Sequence, residues 1–92
     1  MSLLKLGRAR LGMALPRHRR WLLAIKDERL DDLFECYALA STTLDKLLRE
    51  VPRREALIDE YEEVCRDLQV DVVELLALLE ERHLQRSQQD LA

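Results

Sequence analysis

Two side chains near the carboxyl end of the chain have a spacing that is found in metal sites. Glu80 and His83, in the stretch EERH, are three residues apart, as in the helices of di-iron carboxylate bundles. Such a site also needs carboxylates from facing helices, and the predicted register places Arg19 and Trp21 at that level instead. We therefore predict no metal and no cofactor, and we assign Glu80 and His83 to a solvated helix end.

The two cysteines are the next candidates for chemistry. Cys36 and Cys65 fall at nearly the same level of the predicted pair of helices, so a disulfide between the helices is one interpretation. The other is two reduced thiols at the edge of a core, which we favour because we expect no secretory signal peptide. Histidine occurs only as His18 and His83 and no CxxC pair is present, so structural zinc is not expected either.

Catalytic motifs are missing from the sequence. No serine or cysteine has a recognisable base nearby, and no glycine-rich loop could hold a phosphate. A chain of 92 residues forms one small domain without room for a large active-site cleft. We therefore expect a protein that is not an enzyme.

The composition indicates an all-α protein. Hydrophobic residues make up 48% and charged residues 36% of the chain, with only two glycines and two prolines, a mixture typical of long helices with few turns. The longest apolar stretch, VVELLALLEE, is interrupted by Glu74 and is far shorter than the roughly 20 residues of a membrane span. We expect a cytoplasmic protein.

Pro16 and Pro52 mark the predicted helix starts, because proline suits the first position of a helix. We predict one helix over about residues 17–50 and a second over about 53–86. Two helices of nearly equal length joined by a tight turn predict an antiparallel helical hairpin. Each helix carries an apolar stripe at steps of three and four residues, for example Leu30, Phe34, Tyr37 and Leu44 in the first and Ile58, Tyr61, Cys65, Leu68, Val72 and Leu76 in the second.

Two alternative helix breaks stay open. Asp71 and Glu74, in DVVE, fit a capping box, so the second helix could end near Gln69 and restart at Val72. The stretch KDER around Asp27 could separate a short helix from the main first helix. Either break would give three or four helices, and a short amino-terminal helix is a further option.

Four apolar residues of the second helix lie outside its predicted stripe and need another cover. Because two helices alone rarely bury enough surface, we predict a homodimer that forms a four-helix bundle. We predict that these apolar residues bind a protein partner unless the dimer interface covers them. The predicted function is that of a small interaction or regulatory module. The four protein-interaction residues are Val70, Val73, Ala77 and Leu78.

The charges are divided along the chain. Residues 1–26 hold seven Lys or Arg and no acid, whereas residues 27–92 hold eight Lys or Arg against eighteen Asp or Glu. We predict a loosely packed basic arm over residues 1–15 and the hairpin domain over residues 16–92. The register also brings Arg19 and Arg20 to the level of Glu80 and Glu81, where the opposite charges could pair.

The basic segment has two further interpretations. It could bind nucleic acid by neutralising phosphates, and this is the alternative function. It also resembles a mitochondrial presequence in composition, which makes mitochondrial localisation the alternative to the cytoplasm. The candidate anion-binding residues are Lys5, Arg8, Arg10, Arg17, Arg19 and Arg20.

Overall fold

The protein is all-helical, which confirms the predicted class. The computed structural model describes the backbone of residues 2–91 and the side chains of residues 2–84, and no strand occurs in that part of the chain. The elements in order are α1 (Leu3–Ala14), a 3-10 turn (Pro16–His18), α2 (Arg19–Ala24), α3 (Glu28–Arg49) and α4 (Glu55–Leu91). None of the helices in the described part is long and apolar enough to cross a membrane.

The prediction of one helix over residues 17–50 is wrong, because the chain breaks before α3. Ile25 and Asp27 have extended backbone conformations, and Asp27 caps α3 by accepting hydrogen bonds from the backbone N–H groups of Arg29 (2.9 Å) and Leu30 (3.4 Å). The Arg29 guanidinium also binds the Asp27 carboxylate. This is the alternative helix break that the stretch KDER around Asp27 indicates.

The second predicted helix is a single element. It runs from Glu55 to Leu91 without the break considered near Gln69. No glycine or proline follows Pro52, so nothing in the backbone interrupts the helical hydrogen bonds. Asp71 and Glu74 therefore lie on the exposed surface of a continuous helix instead of at a new helix start.

A short loop returns the chain from α3 to α4. Within it, two nitrogens of the Arg54 guanidinium donate to the two oxygens of the Glu50 carboxylate, at 2.6 and 2.9 Å. These hydrogen bonds hold the pKa of Glu50 below its usual value. Pro52 lies in the loop and not at the first position of α4.

A polar contact also joins the middles of the two helices. The Gln69 side-chain amide of α4 donates to the Tyr37 hydroxyl of α3 at 3.0 Å.

The amino-terminal segment forms a helix that packs tightly against α3. A Cβ atom placed on Gly7 would overlap the backbone oxygen of Phe34, so the two helices touch through their backbones at this level. Ala38 and Ser41 on α3 are also buried small residues. Within the segment expected as a loosely packed arm, Leu3–Ala14 thus form a helix docked on the core.

The core is shared by all four helices. Leu11 of α1, Leu22 of α2 and Leu30 and Phe34 of α3 are inaccessible to solvent, and α4 adds a buried row at steps of seven and four residues. Because α4 meets the core through that one row, a large part of its circumference stays uncovered. The buried row of α4 consists of Ile58, Cys65, Val72 and Leu76.

Candidate protein-interaction site

Three of the four predicted interaction residues lie together on one side of α4. Val70 is 54% exposed, Ala77 is exposed and Val73 is half-buried. At 100° per residue they occupy an arc of about 60°, which exposed Leu84 extends towards the carboxyl end. We call Val70, Val73, Ala77 and Leu84 the outer stripe.

Carboxylates surround the outer stripe. Six exposed acids lie on this side of α4 against one exposed base, Arg66. None of the six forms an ion pair with another residue among 2–84. The α4 surface is therefore apolar in the middle and mainly negative at its edges, and Arg17 and His18 lie beside Glu80 and Leu84 at its carboxyl end. The six acids are Asp59, Glu63, Asp67, Glu74, Glu80 and Glu81.

The fourth predicted residue, Leu78, points away from the other three. It is 54% exposed and lies about 80° around the helix from Val70. There it joins a second apolar row, which we call the open flank. The open flank consists of Leu57, Tyr61, Val64, Leu68, Leu75 and Leu78, all half-buried or exposed.

The open flank lies on the side of α4 that faces away from α1. Glu62, Arg66 and Gln69 of α4 line a cleft together with Met13 and Ala14 of α1, so they mark the α1 side of the helix. The flank residues follow the opposite edge of the buried row. Helices α1 and α2 consequently leave the open flank uncovered.

Sequence reasoning missed the open flank because it assigned these residues to the intrachain stripe. Tyr61, Leu68 and Leu75 do touch the core, but each keeps part of its surface exposed. The period of the sequence does not separate the two rows, because the buried residues Ile58, Cys65 and Val72 also recur every seven residues.

Two of the six candidate anion-binding residues are used inside the molecule. Arg10 donates to the Asp45 carboxylate (2.8 Å) and to the Ser41 hydroxyl (3.1 Å). Arg8 lies 3.6 Å from the Asp31 carboxylate, with its guanidinium stacked 5.2 Å from the centre of the Phe34 ring. Both arginines thereby join α1 to α3.

The other four candidates, Lys5, Arg17, Arg19 and Arg20, are exposed. The expected pairing of Arg19 and Arg20 with Glu80 and Glu81 is not formed; the ion pairs within residues 2–84 join other groups. The physical reason is the break before α3, which makes α2 a separate short helix and removes the register of a continuous hairpin.

The two cysteines are not bonded to each other. Cys36 is exposed on α3, whereas Cys65 is buried in the core row of α4. Burial raises the pKa of the Cys65 thiol, so it stays protonated at neutral pH. The cleft that Cys65 lines contains no histidine that could deprotonate it.

Glu80 and His83 lie beside α2 and not opposite a carboxylate. With Arg17, His18 and Trp21 they line a cleft of about 340 Å³, and the His83 ring is 6.5 Å from the Trp21 ring. Within the described residues, no three His, Cys, Asp or Glu side chains come close enough to hold a metal ion.

Comparisons with known proteins add no relative. No protein-family model, no curated protein and no solved structure matches this chain.

Proposed function

We propose that this protein is a small non-enzymatic interaction module that binds a protein partner through the outer stripe of α4. The observation that carries this proposal is the exposure of Val70, Ala77 and Leu84 in one row on a helix. Contiguous exposed apolar side chains rimmed by charges are typical of protein-binding surfaces.

The charges around the outer stripe indicate the chemistry of the partner. Six carboxylates and one arginine favour a partner that carries lysine or arginine beside its apolar residues. A basic amphipathic helix fits best, because its apolar row can lie along Val70, Val73 and Ala77 while its cations face the acids.

The test uses two helical peptides of about 20 residues with the same leucine row. One carries lysine on both sides of the row, and the other carries glutamate. We expect the lysine peptide to bind, with an affinity that falls at least about tenfold in Val70→Asp and is unchanged in Leu39→Asp. Leu39 is a matched control because it is 56% exposed but lies on α3. Equal binding of both peptides, or equal loss in both variants, would contradict the proposal.

We further propose that the chain is a homodimer. The uncovered apolar flank of α4 supports this, since a domain of 92 residues buries few side chains on its own. A bundle of four long helices made from two α3–α4 pairs stays a prediction.

Nucleic-acid binding is the second candidate function. It is favoured by the exposure of Lys5, Arg17, Arg19 and Arg20, but Arg8 and Arg10 are already paired with acids. The test is a salt series in which the 260 nm absorbance of the purified protein is followed. Bound nucleic acid that is released by salt, and is lost when Arg17, Arg19 and Arg20 are replaced by Glu, would support this candidate over the first.

A further inference from the structure

The open flank of α4 has the repeat of a helix that pairs with another helix. Its steps alternate between four and three residues, which is the heptad spacing of a coiled-coil seam. Two charged residues occupy positions of the same repeat, one in the middle and one at its end. The complete row is Leu57, Tyr61, Val64, Leu68, Asp71, Leu75, Leu78 and Arg82.

The described chain covers this row only in part, because Tyr61, Leu68 and Leu75 pack against the core and keep the rest of their surface open. Val64 is 39% and Leu78 54% exposed, although a seam residue in a formed coiled coil is buried. Helix α1 lies on the other side of the buried row, and α2 meets α4 there through Trp21 and His83. Helices α1 and α2 therefore leave the open part of the flank available to another molecule.

The pattern of the row between its two charges fits a second copy of the chain. Asp71, Leu75, Leu78 and Arg82 are self-complementary about a point between Leu76 and Ala77, with leucines inside and opposite charges outside. A two-fold axis through that point places Asp71 against Arg82 of the partner subunit, and the symmetry repeats the pair. The same axis places Leu75 against Leu78 of the partner subunit.

Both charged side chains are available for this pairing. Asp71 and Arg82 are exposed, and neither forms an ion pair with another residue among 2–84. A parallel arrangement of two α4 helices in register would instead set each charge against its own copy. Charges at seam positions fix the direction and register of paired helices, and these charges favour the antiparallel one.

The outer stripe could not serve the same purpose. Its rim has six carboxylates and one arginine, so two copies that met there would bring like charges together. The two apolar rows of α4 therefore differ in the partners that they fit.

We infer that the part of the open flank from Asp71 to Arg82 is a self-association surface on which a second copy of the chain docks antiparallel, with Asp71 of each copy paired with Arg82 of the other. This inference rests on the proposed homodimer and names its surface, direction and register. It leaves the outer stripe free for the protein partner.

The experiment is light scattering and sedimentation of the full chain over a range of concentrations. We expect a mass of twice 10.8 kDa for the wild type. Leu78→Asp should raise the dimer dissociation constant at least about a hundredfold, since each copy loses one apolar contact. Asp71→Arg and Arg82→Asp should each raise it about tenfold, because each creates two like-charge pairs.

Restoration of the dimer tests the register itself. The double variant with Asp71→Arg and Arg82→Asp has opposite charges again at both pairs, and an equimolar mixture of the two single variants has them in the heterodimer. Both should dimerise within a few-fold of the wild type. Circular dichroism checks that each variant keeps its helices, which we expect because all three side chains are exposed.

The outcomes separate this inference from the broader proposals. Val70→Asp and Leu39→Asp should leave the dimer intact. A dimer that is lost in Val70→Asp but kept in Leu78→Asp would overturn the inference and keep the homodimer. A wild type that is monomeric at every concentration would overturn both, while the peptide test of the outer stripe would still decide the protein-binding function.

Discussion

The two sides of α3 are packed in different ways. On one side, α1 approaches so closely that Gly7 touches the Phe34 backbone, and two arginines tie the helices together at the edges. On the other side, α4 contributes a row of larger apolar side chains and one polar contact between Gln69 and Tyr37. The first contact depends on the absence of side chains, and the second depends on their volume.

This difference predicts different responses to substitution. A contact made by volume weakens when atoms are removed, whereas a contact made by close backbone approach weakens when atoms are added. Substitutions of opposite kinds on the two sides of α3 therefore test the comparison.

The largest effect is expected for Leu76→Ala on the α4 side. Leu76 is 2% exposed in the buried row, so its truncation should lower the free energy of unfolding by about 3 kcal/mol through lost burial and a cavity. Chemical denaturation measures the change. The exposed Leu84→Ala is the matched control, with an expected change within about 0.5 kcal/mol. Equal changes in both variants would mean that α4 is not held by its buried row.

The next effect is expected for Gly7→Ala on the α1 side. The added methyl group would overlap the Phe34 backbone oxygen, so α1 must move away, which should cost about 2 kcal/mol despite the better helix propensity of alanine. Hydrogen exchange should locate the loss of protection in α1.

Gly12→Ala provides the control within the same helix. There the new Cβ meets only the flexible Arg19 side chain, at 3.3 Å, so we expect an unchanged or higher stability. A stabilising Gly7→Ala would show that α1 does not touch α3 through its backbone.

The two contacts of α3 also differ in how far the sequence predicts them. The α4 contact follows from apolar residues such as Phe34, Ile58 and Leu76 at helical spacing. The α1 contact has no such signal, because its determinants are Gly7 and small residues of α3, which carry no hydrophobic periodicity. Glycine inside a helix lowers the expectation of a helix, and the sequence therefore predicted a loose arm where the structure has a docked helix.

The sequence also predicts the candidate protein-interaction site only in part. Exposure of Val70 and Ala77 follows from their place outside the apolar stripe of α4. The direction of Leu78 does not, because it depends on which side of α4 the first helix covers. The spacing of charges along the chain also could not predict the partners of the basic residues in α1. Arg8 and Arg10 pair with Asp31 and Asp45 of α3, not with acids of α4.

The smallest effect is expected at Asp27, which caps the helix that both contacts share. Asp27→Ala removes the acceptor for two backbone N–H groups and should cost about 1 kcal/mol. Because α3 carries both neighbours, hydrogen exchange should show a loss spread over α1 and α4, unlike the local losses in Gly7→Ala and Leu76→Ala. A loss confined to one of the two helices would mean that α3 does not couple them.

The same carboxylate gives a pH test with a definite sign. The hydrogen bonds from Arg29 hold the pKa of Asp27 below its usual 3.8, so the ionised form is favoured in the folded state. Its contribution to stability is present above the pKa of the unfolded chain and is lost as the pH falls through the lower pKa of the folded protein.

The variant Asp27→Asn keeps a capping oxygen without the charge. The stability difference between the wild type and this variant should therefore be constant at neutral pH and shrink below about pH 4. A difference that stays constant down to pH 2 would show that the charge of Asp27 does not contribute, and that α3 is capped by hydrogen bonding alone.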